Sequence, residues 1–306
     1  MVFFHFDSDN KVSSSQLASN ENFLNAKKVL IAAGDSWTNQ LKETYGNDRS
    51  WVPEFAKLRE YDFIIISAAR GSSGTQIFSN LVNLLTGANL SEDCFFNGFS
   101  DSWLNYYLFR EKKVDVIVQW TSIIRDYSEF SAWYKPHTFA SLPDLSNDTF
   151  KKQMYDEYIS EILNEKYYSY KLQIYSWQLQ KYFEKWNIPY YFWMGFCDLV
   201  PEEIEGTDMD IRRFLNKDRW FNLFEKPNNM ADYLYYVERN VLPKRLKGVL
   251  TEGGPVGLLK NFSDSLFNLF KENEKDSSLE HTLFCGDLHP STEGNKIIAN
   301  LLNEKF

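Results

Sequence analysis

Histidine is scarce in this chain. Four residues, His5, His137, His281 and His289, are all the imidazole that any acid–base chemistry could draw on. Cysteine is scarcer still, and Cys94, Cys197 and Cys285 stand too far apart to form a Cys-x-x-Cys pair. A disulfide framework and a paired-cysteine metal site are thereby excluded, and buried free thiols are expected. No apolar run approaches the roughly 20 residues that cross a bilayer. Asp7 also interrupts the opening Val2-Phe3-Phe4-His5-Phe6 where a signal peptide would continue apolar. The expectation is a protein without a membrane span, cytoplasmic or otherwise not exported by a signal. Basic residues are outnumbered: 33 Lys and Arg face 42 Asp and Glu, a formal net charge of −9. Since nucleic-acid affinity comes largely from Lys and Arg neutralising phosphates, nucleic acid is not an expected partner. There is no Gly-x-x-x-x-Gly-Lys-Ser loop, no His-Glu-x-x-His helix and no Asp-rich calcium loop, so neither metal nor cofactor is expected.

Aromatic residues, in contrast, are abundant, with 25 Phe, 18 Tyr and 9 Trp making up 17% of the chain. Such rings can stack on sugars, but a bulky core with wet tyrosine rims is the simpler use. The 306 residues would fill one large domain or two small ones. Residues 1–26 are polar and rich in Ser and Asn, and read as an irregular arm ahead of a single domain over 27–306.

Four short apolar runs read as buried parallel strands: Lys28 to Ala33, Phe63 to Ile66, Val114 to Gln119 and Pro189 to Met194. Helices are expected around Trp51 to Leu58, from about Thr75 to Leu85, and from Ser291 to Asn303 with Ile297, Ile298, Leu301 and Leu302 on one side. Over 151–187, Ile159, Ile162, Leu163, Tyr170, Ile174 and Trp177 recur at steps of three and four, or sums of them, and predict a long amphipathic helix. The tract 201–254 mixes Pro, Gly and charge, and reads as an elaboration over the sheet edge; a further elaboration is expected at about 128–187. Strand, glycine-bearing loop and helix recur, which argues for an α/β sheet whose strand ends converge on one ligand-binding edge. No internal repeat or low-complexity segment interrupts this order.

Two pieces of the sequence could carry chemistry. Gly34-Asp35-Ser36-Trp37 follows the first of these strands and sets a serine hydroxyl at the carboxyl edge of the sheet; it is also ordinary turn chemistry. Gly286-Asp287-Leu288-His289-Pro290-Ser291 precedes the last helix. A serine nucleophile needs an imidazole to take its proton and a carboxylate or carbonyl to orient that imidazole, and His289 and Asp287 could supply both. Acidic pairs such as Glu202-Glu203 fit a solvated face better than a glycosidase dyad.

With Ser73-Gly74-Thr75 after the second strand and Trp120-Thr121-Ser122 after the third, these pieces form four blocks in fixed order. In that order the chain resembles the SGNH hydrolases, also called the GDSL esterase and lipase family. The resemblance implies a three-layer α/β/α sandwich with a mainly parallel, flavodoxin-like sheet. It implies Ser36 as nucleophile and His289 as base, with the amides of Ser36 and Gly74 in the oxyanion hole; Gly71 is the weaker candidate there. Two departures stand out. Ile123 occupies the place of the family's oxyanion asparagine, so Ser122 or Thr121 would have to replace it by hydroxyl donation. Asp287 precedes His289 by two residues rather than the family's three, so Asp287 or another acceptor orients the ring. Trp37 stands where the family often has leucine, and Trp37, Trp120 and Arg125 are candidate substrate contacts. An Arg125 ion pair with Asp126 or Glu129 serves equally well as an explanation of that residue.

The resulting expectation is a serine esterase acting on a carboxylic ester, with a carbohydrate O-acetyl ester as the preferred substrate and no cofactor. The alternative is a weakly active or non-catalytic binding or assembly subunit of the same fold, on a virus particle or within a glycan-handling complex.

Overall fold

The computed structural model describes residues 1–6, 16–17, 19–39, 50–68, 72–86, 109, 111–121, 165–195, 199, 211–225, 227–239, 283 and 289–306. Its strands are β1 (Val2–His5), β2 (Lys28–Gly34), β3 (Phe63–Ala68), β4 (Lys113–Trp120) and β5 (Tyr190–Met194). Its helices are α1 (Glu21–Asn25), α2 (Trp51–Leu58), α3 (Gly74–Thr86), α4 (Glu165–Lys185), α5 (Met230–Arg239) and α6 (Thr292–Lys305). The strands form one parallel sheet in the order β1-β3-β2-β4-β5. From β2 the chain goes to β3 on one side, and β4 later enters on the other. The carboxyl ends of β2 and β4 therefore flank a topological switch point, the place where open α/β sheets bind ligands.

Alternation along β2 sorts its side chains onto two faces. Val29, Ile31 and Ala33 join a core covered by α3 and α4, while Leu30 and Ala32 join one covered by α2, α5 and α6. Both faces are buried, which is why β2 and β3 read as unbroken apolar runs. The result is the three-layer α/β/α sandwich that the family resemblance implied.

Three readings of the sequence are corrected. The arm over 1–26 is not irregular in its described part. Val2–His5 is an edge strand parallel to β3, and α1 follows, its N-terminus capped where the Asn20 side chain accepts from the Phe23 amide at 3.1 Å. A four-residue strand, half-buried at every position, shows no alternation to detect. The second correction concerns α4, whose described residues begin at Glu165. Its sheet-facing side carries Leu172, Tyr175, Leu179 and Phe183, whereas Trp177 is 39% exposed. The polar residues Ser169, Gln173, Ser176 and Gln180 are buried on α4 as well, so counting apolar residues selected the wrong face. Gln180 explains its own burial: its side chain accepts from the Asn216 amide at 2.8 Å and donates to the Phe214 carbonyl at 3.2 Å. α4 is thus a layer of the sandwich rather than part of an elaboration; 128–164 lie outside the described residues. Third, the described part of 201–254 is not a cover over the sheet edge. Residues 192 and 194 of β5 bridge Trp220 and Asn229, and Met230, Ala231 and Leu234 of α5 lie in the second core.

Candidate active site

β2 ends at Gly34, and the chain turns at once. The Asp35 carbonyl accepts from the amides of Thr38 and Asn39, both at 3.0 Å, and the Asp35 carboxylate accepts from the Trp37 amide at 2.9 Å. Ser36 sits at the head of this turn, 7% exposed. The turn is tied to its neighbours on both sides. Asn39 Nδ2 donates to the Ala68 carbonyl at the end of β3 at 2.8 Å, and the Ser50 hydroxyl donates to the Thr38 carbonyl at 2.8 Å.

His289 comes from the far end of the chain, 253 residues on, and its Nε2 lies 2.9 Å from Ser36 Oγ. The start of α6 holds it there. Ser291 is the N-cap, its hydroxyl accepting from the Gly294 amide at 3.1 Å, and Asn295 Nδ2 donates to the carbonyls of Pro290 and Ser291, each at 3.0 Å. The Ser291 amide donates to the Leu283 carbonyl at 2.9 Å, and a Cβ on Gly294 would meet that same oxygen at 2.4 Å. Glycine at this helical position is what lets the Leu283 carbonyl lie against the start of α6.

Gly74 opens α3 at the same edge of the sheet. Ser73 caps the helix, its hydroxyl accepting from the Gln76 amide at 3.1 Å, so the Gly74 N–H belongs to the first-turn amides that have no partner within the helix. That is the type of donor an oxyanion requires.

Other predicted contributors are placed differently. Thr121 is fully buried, and its hydroxyl proton goes to Asp35 Oδ2 at 2.8 Å, which leaves it no proton for an oxyanion. Trp37 and Trp120 are core residues, 1% and 0% exposed, and offer no face to a substrate. Trp37 turns into the core under α2 and α6, and Trp120 stacks on Phe192 with ring centroids 6.4 Å apart on the α3 and α4 side. Asp287, Ser122, Arg125 and Gly71, with His137 and His281, lie outside the described residues.

Sequence reasoning missed the buried polar group beneath Ser36. Gln119, on β4, donates from Nε2 to Asp35 Oδ1 at 2.7 Å and accepts from the Thr38 hydroxyl at 2.6 Å. Asp35, Thr38, Gln119 and Thr121 are all 0% exposed. The one available signal was a glutamine in a buried strand whose other buried polar residue is Asp115.

Among the described residues no group of three His, Cys, Asp or Glu side chains could hold a metal ion, and no helix is long and apolar enough to cross a membrane. No protein-family model, curated protein or solved structure matches the chain.

Proposed function

We propose that this protein is a serine ester hydrolase of the SGNH type. The observation that carries the reading is the 2.9 Å separation of Ser36 Oγ and His289 Nε2 at the carboxyl edge of a parallel sheet. A serine alcohol is a weak nucleophile until a base takes its proton, and this distance lies within the range for that transfer. With its own proton on Nδ1, the His289 ring presents the Nε2 lone pair to the Ser36 hydroxyl. Ser36 Oγ attacks the ester carbonyl carbon as its proton passes to Nε2. The carbonyl oxygen takes the displaced electron pair and is met by the amides of Ser36 and Gly74. Collapse of the tetrahedral adduct breaks the bond to the alcohol oxygen, which leaves with the proton from His289. Water repeats the cycle on the acyl-enzyme and releases the acid. Asp287, two residues before His289, is the first candidate to orient the ring.

The substrate class is a carboxylic ester. A carbohydrate O-acetyl ester remains the preferred example because a small acyl group suits an open sheet edge; burial of Trp37 and Trp120 removes them from any sugar platform. One observation favours the second reading, a binding or assembly subunit with weak or no catalysis. With Ile123 in place of the family's asparagine and the Thr121 proton spent on Asp35, the hole relies on the two amides and Ser122. A missing oxyanion donor costs about 3 kcal/mol in the transition state, enough for a slow enzyme.

The test is a fluorophosphonate probe alongside hydrolysis of a short-chain p-nitrophenyl ester. The wild type should be labelled and should turn over ester, and Ser36→Ala should do neither while retaining its circular dichroism. An inert wild type would establish the binding reading, and an active Ser36→Ala would move the nucleophile elsewhere.

A further inference from the structure

Gln119 occupies a slot made by two glycines. A Cβ on Gly34, at the end of β2, would fall 2.8 Å from its Oε1, and a Cβ on Gly195, just after β5, would fall 2.8 Å from its Nε2. The strands on either side of β4 thus leave room for one flat amide, and that amide is aimed at the turn that carries Ser36. Its nitrogen meets Asp35 and its oxygen meets Thr38, the residues just before and two after the nucleophile. Thr121, two residues beyond Gln119 on the same chain segment, takes the second Asp35 oxygen. With the Trp37 amide, three donors converge on one buried carboxylate.

This is a costly way to pin a turn. Burying a carboxylate is unfavourable unless all its partners are supplied, and backbone bonds from Thr38 and Asn39 already close the turn. What the side-chain network adds is a defined position for the residue at its centre. We propose that Gln119 and Thr121 are positioning residues for the Ser36 hydroxyl, acting through Asp35; this rests on the hydrolase reading above. Displacement of a reacting atom by about 1 Å can cost a hundredfold in rate, so a network that fixes the turn acts on the chemical step more than on binding.

Saturation kinetics of fluorophosphonate labelling separate the two, giving a maximal inactivation rate and a half-saturating concentration. Gln119→Met keeps the length of the side chain and deletes both hydrogen bonds. Thr121→Val keeps the shape and deletes one, and Thr121→Ser restores the hydroxyl. Gln119→Met and Thr121→Val are each expected to lower the maximal rate about tenfold to a hundredfold, with the half-saturating concentration changed less than about threefold. Thr121→Ser should recover most of the rate. If Gln119→Met does not fold, as judged by thermal melting, the Thr121 pair decides. Folded variants that label at the wild-type maximal rate would overturn the positioning role alone, as would a Thr121→Ser as impaired as Thr121→Val. A wild type that is not labelled at Ser36 would overturn the hydrolase reading and this role with it.

Discussion

Asp62 shows how much one exposed side chain can organise. Its Oδ2 accepts from the amides of Lys27 and Lys28 at 3.0 and 2.9 Å, across 35 and 34 residues, and so fastens the start of β2 to the start of β3. The Lys28 amide, then the Lys27 amide, hold the Asp62 carboxyl below the usual carboxylate range, against a smaller opposing effect of burial. A carboxylate with a depressed folded value contributes stability that is complete above the ordinary aspartate value of about 3.9 and is lost as the pH falls through the folded value. Asp62→Ala should therefore melt below the wild type at pH 7, and the gap should close as melts are taken at pH values progressively below about 4. A gap independent of pH would mean that the carboxylate charge contributes nothing. Gln119 and Asp35 make the complementary case. Nothing in the sequence joins the one to the other, and they meet across 84 residues only because β2 and β4 pair in register.

At the scale of elements, two helices that deliver strands end in the same way. At the end of α2 the Tyr61 amide bonds the Ala56 carbonyl at 3.1 Å and the Glu60 amide bonds Lys57 at 3.3 Å; at the end of α4, Ile188 bonds Phe183 at 2.9 Å and Asn187 bonds Glu184 at 3.3 Å. Both are Schellman motifs, and the residue at the left-handed position is Glu60 with φ 56° in one and Asn187 with φ 53° in the other. Tyr61 then packs on Phe55 with ring centroids 5.9 Å apart, the hydrophobic contact that accompanies the motif. Glycine is absent from both sites. Glu60→Gly should stabilise the protein by about 0.5 to 1 kcal/mol, read from urea denaturation, because the left-handed conformation penalises a β-carbon more than glycine's extra unfolded entropy offsets. Asn187→Gly should gain less, since asparagine already tolerates that conformation. Equal gains would point to a cause other than backbone strain. The same scale explains the misread face of α4: a helix that buries Ser169, Gln173, Ser176 and Gln180 defeats a count of apolar positions.

For the whole molecule, the site exists only when the C-terminal segment docks. Ser36 follows the central strand and His289 reaches it through α6, which packs against α2 across the second face of the sheet. Gly294 is the point where that docking meets the site, because the Leu283 carbonyl lies against its backbone. Gly294→Ala should push Leu283 and Pro290 off the helix end and lower the fluorophosphonate labelling rate by about tenfold, through misplacement of His289. Thermal unfolding should fall by only a few degrees, since Ile298 and Leu302, which anchor α6 in the core, are untouched. A Gly294→Ala protein with unchanged labelling would show that the His289 position does not depend on this contact.

By itself the sequence determined the parallel strands β2 to β5, α2, α3 and α6, and the two blocks that hold Ser36 and His289. Each of these is written in a local pattern: an apolar run, a helical period, a glycine-bearing turn. The recurrence of those elements argues for an α/β sheet, and the family resemblance implied its three layers. What the tertiary structure alone decided was which side chains meet. The edge position of β1, the buried face of α4, the burial of Trp37 and Trp120, and the commitment of Thr121 to Asp35 depend on strand order and register. A hydrogen bond between residues 84 or 253 apart leaves no trace in the local spacing of either partner, because only the fold sets the distance between them.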